Sequence, residues 1–252
     1  MSARLDPDRI DIWCARPQAI DAALLAAYRS MLTEDETARM QRFYFERDRL
    51  RFLVTRALVR SVLSRYAPGA PADWRFDANA YGRPSLRSPT GIAASIAFNL
   101  SHTADMVVMA VGHGCALGVD VEHVLRRAAP LEVAAQYFSS AEVAALQALP
   151  AHQQTARFFS LWTLKEAYIK ARGMGLSIAL DQFGFAFDGG APTLSVAPGL
   201  GDDAGRWHFW QHQLAPEYLL AVCAEHGARA RRTLSLFDVV PLGPAQLVRT
   251  LD

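Results

Sequence analysis

Cysteine is scarce and scattered: Cys14, Cys115 and Cys223 are the three in 252 residues, odd in number and far apart. With no CxxC pair, the pattern argues against both a disulfide framework and a structural zinc site, and a reducing cytoplasm is the compartment that fits. Long apolar runs are also missing. No uninterrupted stretch approaches the roughly 20 residues of a membrane span, and the opening MSARLDPDRI lacks the apolar run of a signal peptide, so no membrane partner is expected. Charge of one sign is not in excess either. The 26 Lys plus Arg against 25 Asp plus Glu leave +1, too little for an overall field that recruits nucleic acid. Neither a Walker loop nor a G-x-G-x-x-G fingerprint occurs, so a nucleotide bound here must be held by Arg and Lys side chains and a metal.

What is present suits a folded enzyme-sized body: 51% of the residues are apolar, enough for one large domain or two small ones. Positive charge is concentrated locally, with Arg39, Arg42, Arg47, Arg49, Arg51, Arg56, Arg60 and Arg65 against Glu46 and Asp48. That stretch could meet an anion. Nucleic acid is the weaker partner for it, because the arginines run all round a helix without an aromatic stacking platform.

The order of elements repeats. RIDIWCA reads as a strand, and Pro17 is expected to open the helix after it. Thr33 with Glu36 forms a capping box before a long helix from Phe43 to Tyr66. A Pro- and Gly-rich loop with one short strand near Trp74 follows, then strands at IAFNL and MVVMAVGHG. At an offset of about 106 residues LTEDE falls on FSSAE and Arg51-Phe52 on Arg157-Phe158, and a second long helix runs from about His152 to Arg172. The reading is a duplicated α+β unit, with halves 1–115 and 116–252 and the C-terminal tail assigned to the second.

Three places carry the chemistry. In GVDVE, Asp120 and Glu122 are two apart on a strand and emerge on one face, where two carboxylates repel unless a cation lies between them; a solvated acidic face is the simpler account of D-x-E alone. Oxygen ligands of this kind suit Mg²⁺. In FSLWTLKEAYIKARGMGL, Glu166 projects between Phe159 and Trp162, with Leu161, Leu164 and Tyr168 covering the far side of the helix, and a carboxylate there must be paired or metal-bound. Lys170, one turn on, is either a structural partner of Glu166 or a phosphate ligand. In FNLSHT, Ser101 and His102 are placed in the loop after a strand, and Arg83 in YGRPSL sits in a turn that either faces solvent or reaches a phosphate. A Ser/His hydrolase is set aside because no G-x-S-x-G elbow surrounds Ser101.

Taken in order, YGRPSL, FNLSH, GVDVE, YFSSAE and LWTLKEAYIKARGMGL resemble the surfactin-synthetase-type 4'-phosphopantetheinyl transferases, from about Thr33 to Phe187. The resemblance implies an α+β fold built as a pseudo-twofold pair of similar halves. It implies transfer of the phosphopantetheine arm of coenzyme A to a serine of an acyl or peptidyl carrier protein, in fatty acid, polyketide or nonribosomal peptide synthesis, by a monomer. By the same resemblance Asp120, Glu122 and Glu166 would ligate Mg²⁺, Lys170 would contact phosphate and Glu166 would be the candidate base. Arg39 and Arg83 would grip the 3'-phosphate and adenosine end, Ser101 and His102 would lie against the phosphates, and Arg51 is a weaker candidate for the same ligand. Glu36 stands where some relatives carry a basic residue. A non-catalytic protein of the same fold that holds coenzyme A or a carrier domain is the alternative; retention of Asp120, Glu122, Glu166 and Lys170 counts against it.

Overall fold

The strand-like RIDIWCA folds as β1 (Arg9–Ala15), buried along nearly all its length because it lies inside a sheet rather than at an edge. The computed structural model describes residues 4–126, 128–187, 189, 191–226 and 232–251. They form two units, one of Met1–Asn79, Pro84–Gly114 and Arg229–Asp252, the other of Ala80–Arg83 and Cys115–Ala228.

In the first unit Pro17 opens a single 3-10 turn, Pro17–Ala19, and α1 (Ala22–Ser30) begins later than expected. The reason is Asp21, whose carboxylate accepts from the Leu24 amide at 2.8 Å and so supplies the cap that Pro17 cannot. α2 (Glu34–Gln41) starts at the expected capping box of Thr33 and Glu36, and α3 (Glu46–Tyr66) is the first long helix. The loop after it holds two short strands instead of one, β2 (Phe76–Ala78) and β3 (Pro84–Leu86), paired antiparallel. β4 (Ile96–Thr103) runs on through Ser101 and His102, which pair with Val108 and Val107 of β5 (Met106–His113). These two residues therefore sit in the strand and not in a loop beyond it.

The second unit follows the same order. β6 (Leu117–His123) leads to α4 (Leu131–Tyr137), α5 (Ser140–Gln147) and the long α6 (Ala151–Arg172), then the hairpin β7 (Phe183–Ala186) and β8 (Thr193–Val196), then β9 (Trp207–Ala215) and β10 (Tyr218–Glu225). Its sheet is β6-β10-β9, antiparallel throughout, which matches the β1-β5-β4 part of the first unit's sheet. The first sheet is extended on its other side by β11 (Thr233–Val239), parallel to β1, and β12 (Ala245–Leu251). The tail, read from the sequence with the second half, thus hydrogen-bonds to the first strand of the chain. Residues 227–231, at the start of that tail, lie outside the described residues.

The duplication is carried in the side chains as well. Glu36 of the first capping box accepts from Arg60 at 2.6 Å and from Arg56, and Arg60 also donates to the Trp74 carbonyl at 2.5 Å. Burial alone would raise the Glu36 carboxyl, but the Thr33 amide and the two guanidiniums hold it below the usual value. At the same offset Glu142 of the second box accepts from Lys165 at 2.7 Å, and Lys165 donates to the Leu180 carbonyl at 2.8 Å and that of Phe183 at 2.7 Å. In each unit a carboxylate that caps a short helix also anchors the long helix behind it. Glu36 is explained in this way, without reference to a ligand.

Lys165 is fully buried, and desolvation pushes its pKa down against the opposing pull of Glu142. Removing one member of such a pair strands the other charge, which typically costs about 3–5 kcal/mol. Lys165→Ala is expected to lower unfolding free energy by about that much in urea titration, whereas a loss under about 1 kcal/mol would show that Glu142 does not depend on it.

Candidate active site

β6 alternates cleanly. Leu117, Val119 and Val121 are buried on one face, and Gly118, Asp120 and Glu122 emerge on the other, where α6 packs. The approach of helix to strand is set at Gly118. A Cβ there would lie 2.0 Å from the Ala167 carbonyl oxygen and 2.4 Å from the Ala171 nitrogen, so backbone meets backbone and only glycine fits.

That contact aligns three successive turns of α6 with the acidic face of β6. Trp162 donates its indole N–H to Glu122 Oε1 at 3.1 Å, and Lys170 Nζ bonds Asp120 Oδ1 at 2.6 Å. Glu166 stands one turn from each. Its pKa is raised above the ordinary 4.5, first by burial and then by the Asp120 carboxylate, with Glu122 adding and Lys170 opposing. Phe138, Phe158 and Trp162 stack on the N-terminal side, with ring centroids 5.7 Å and 6.0 Å apart, and fix the indole that orients Glu122.

The far end of α6 is held by Asp202, whose buried carboxylate accepts from Tyr168 at 2.6 Å and from Arg172 and Trp207 at 2.8 Å. α6 then stops at Gly173, in the left-handed conformation with φ 67°. Arg83, read from the sequence as facing solvent or reaching a phosphate, donates to the carbonyls of Lys170 at 2.9 Å, Ala171 at 3.0 Å and Leu117 at 3.0 Å.

The structure thus brings Asp120, Glu122, Glu166, Lys170 and Arg83 together in the second unit. Arg39, Ser101 and His102 belong to the first. Arg39 is exposed near the end of α2, its guanidinium 5.8 Å from the Phe52 ring centroid, and Arg51 pairs with Asp48 at 2.9 Å. Strand alternation puts the buried Ser101 and the exposed His102 on opposite faces of β4. Among the described residues no group of three or more His, Cys, Asp or Glu side chains is drawn together as a metal cluster.

Sequence reading missed Gly118, Trp162 and Lys165 as parts of this arrangement, and Asp202 altogether. The 106-residue offset carried a signal for Lys165, since Glu142 is the counterpart of Glu36 and needs a cation from its own long helix. Nothing in the sequence near Asp202 distinguishes it from the acidic loop residue beside it.

A strand and a long helix thus converge on an acidic patch with a lysine, and the comparisons with known proteins say which class of protein carries it. Residues 116–223 match the 4'-phosphopantetheinyl transferase superfamily, and residues 16–113 match a family described as 4'-phosphopantetheinyl transferase, N-terminal. The chain is 32% identical over 201 residues to the 4'-phosphopantetheinyl transferase Sfp of Bacillus subtilis strain 168, covering 79% of this chain and 84% of that protein. It is also 32% identical over 197 residues to the 4'-phosphopantetheinyl transferase psf-1 of Bacillus pumilus, covering 78% and 80%. A solved holo-[acyl-carrier-protein] synthase of Thermotoga maritima is 22% identical and covers 46% of this chain and 66% of its own, with a TM-score of 0.37, too loose a likeness to argue from. The chain belongs to the 4'-phosphopantetheinyl transferase superfamily.

Two outcomes follow from the geometry. Gly118→Ala must drive helix from strand, with an overpacking cost of about 1–3 kcal/mol. Calorimetry should register this as a lowered Tm, and an unchanged Tm would mean that the contact is not tight. Because the Glu166 pKa is raised, the folded chain keeps a proton that the unfolded chain has lost, so stability falls as pH rises from 4.5 through the folded value. In chelator-containing buffer Glu166→Gln is therefore expected to melt higher than the parent at about pH 8 and to lose that advantage by about pH 4. A lower Tm for the variant at both would refute the repulsion.

Proposed function

We propose that this protein transfers the 4'-phosphopantetheine group of coenzyme A to a serine hydroxyl of an acyl or peptidyl carrier protein, releasing 3',5'-ADP, with Mg²⁺ at Asp120, Glu122 and Glu166. The observation that carries the reading is the alignment of these three carboxylates and Lys170 along one face of β6 and α6 in a chain of this family. The donor set fits the ion. All three ligands are hard carboxylate oxygens, and the repulsion that Asp120 and Glu122 exert on Glu166 is the kind that a divalent cation relieves. When bound, Mg²⁺ would supply positive charge to the pyrophosphate of coenzyme A.

The chain's own residues do the rest. The serine oxygen forms a bond to the phosphorus that carries the pantetheine arm, the anhydride P–O bond breaks, and 3',5'-ADP leaves with the electron pair. Glu166 takes the serine proton, directly or through water. Lys170, held by Asp120, offers its ammonium to a phosphate oxygen. Arg39 and Arg83, with Ser101 and His102, are assigned to the phosphates and the adenosine end of coenzyme A, a role that rests on the family resemblance. The enzyme is read as a cytoplasmic monomer; among the described residues no helix is long and apolar enough to cross a membrane.

The test is incubation with apo carrier proteins, coenzyme A and Mg²⁺, with intact mass as the readout. One added phosphopantetheine is expected, and none in EDTA. Asp120→Ala and Glu166→Ala are each expected to abolish the mass gain while the circular dichroism spectrum is retained. Near-normal turnover by either variant would sink the site, and no gain on any carrier would favour a binding protein.

A further inference from the structure

The contact at Gly118 sets how near α6 comes to the sheet, but a contact without an interlocking side chain does not fix how the helix is turned about its own axis. At about 100° per residue, Trp162, Glu166 and Lys170 share the face that carries the chemistry, and Lys165, Tyr168 and Arg172 form a stripe on the reverse side. Asp202 holds that stripe. Its side chain is 2% exposed, and its Oδ2 accepts from Tyr168 at 2.6 Å, from Arg172 at 2.8 Å and from the Trp207 indole at 2.8 Å. Arg172 also donates to the Tyr168 hydroxyl at 2.9 Å, which closes a triangle across one turn of the helix. Burial alone would raise the Asp202 carboxyl, but Tyr168, Trp207, the Asp203 amide and Arg172 hold it below its usual value, so the charge is kept. The segment that carries Asp202 is itself tied to the sheet. Trp207 opens β9, Arg206 donates to Glu225 of β10 at 2.8 Å, and the His226 amide donates to the Arg206 carbonyl at 2.9 Å.

We infer that Asp202 is a positioning residue: from the reverse side it fixes the rotation of α6, and with it the places of Lys170 and Glu166 beside Asp120 and of Trp162 beside Glu122. The lever is long enough to matter. Side-chain tips lie about 5–6 Å from the axis of a helix, so a turn of about 10° carries them about 1 Å. A displacement of about 1 Å, even from a change far from the chemistry, can cost about a hundredfold in rate. Tyr168 and Arg172 stand two residues to either side of Lys170, so Asp202 grips the very turn that carries this lysine. Lys165 and Glu142 hold the same stripe about one turn earlier. A carboxylate suits the task, because three donors converge on one oxygen and an ionised acceptor bonds them roughly twice as strongly as a neutral amide would.

The kinetic arm of the test rests on the transferase reading; the spectroscopic arm does not. Asp202→Asn keeps the shape and one acceptor oxygen but loses the charge, and Asp202→Ala loses both. Indole N–H resonances are recorded by NMR on the free protein in chelator, those of Trp162 and Trp207 being assigned by their absence in Trp162→Phe and Trp207→Phe. Both resonances are expected to shift in both variants, further in Asp202→Ala, although Trp162 lies on the other face of the helix and bonds Glu122. In the carrier-protein assay, at a temperature where circular dichroism shows each variant folded, kcat is expected to fall about tenfold to a hundredfold in Asp202→Ala and less in Asp202→Asn. The KM for the carrier protein should stay within about twofold. A Trp162 resonance that stays in place while that of Trp207 moves would overturn the inference and leave Asp202 a local stabiliser, as would an unchanged kcat. Should Asp202→Ala fail to fold, Asp202→Asn decides by the same readings. If the parent protein transfers nothing, the transferase reading fails and the indole resonances still judge the anchor.

Discussion

Everything in the candidate site depends on one steric fact, that the backbone of α6 lies directly on the backbone of β6 at Gly118. A side chain there would hold the helix off by more than an ångström. The bonds of Lys170 to Asp120 at 2.6 Å and of the Trp162 indole to Glu122 at 3.1 Å are made at the spacing that this contact sets. The glycine therefore contributes through an absence, and the functional groups around it inherit their spacing from main-chain contact, which is stiffer than any contact between side chains.

Such closeness has an electrostatic cost. Three carboxylates share a patch in which Asp120 is 5% exposed, and Lys170 is the cation that the patch itself holds. The offset comes from pairs at a distance from the chemistry. Lys165 ties the helix to Glu142 and the β7 chain, Asp202 gathers Tyr168, Arg172 and Trp207, and Arg83 closes the C-terminal turn. α6 is thus fastened by polar anchors along its length, and the strained acidic cluster sits between them, as expected where function and stability compete.

Much of this could be read in the sequence because it is local. The capping box at Thr33, the end of α6 at Gly173 and the shared face of Asp120 and Glu122 all follow from residues within one or two turns of each other. What escaped notice depends on partners far along the chain. The extension of β4 through Ser101 and His102 is decided by its register with β5, and the return of the tail to β1 is a parallel pairing between the two ends of the chain. Arg83 is the sharpest case. A Gly-Arg-Pro turn announces a bend and a guanidinium that faces solvent or reaches a phosphate, and nothing nearby in sequence reveals three carbonyls from two other elements.

The paired capping boxes also bear on how a duplicated chain avoids folding against itself. Each half offers the other a decoy, a box with a buried glutamate awaiting a long helix. At the 106-residue offset, however, the anchoring cations are one residue out of step: the counterpart of Arg60 is Glu166, and the counterpart of Lys165 is Val59. α6 laid on the box of Glu36 would set carboxylate against carboxylate, and α3 laid on that of Glu142 would leave the acid facing a valine. The two halves thus share one plan, a capping glutamate anchored by a cation of the long helix behind it, with that cation set one residue apart between them.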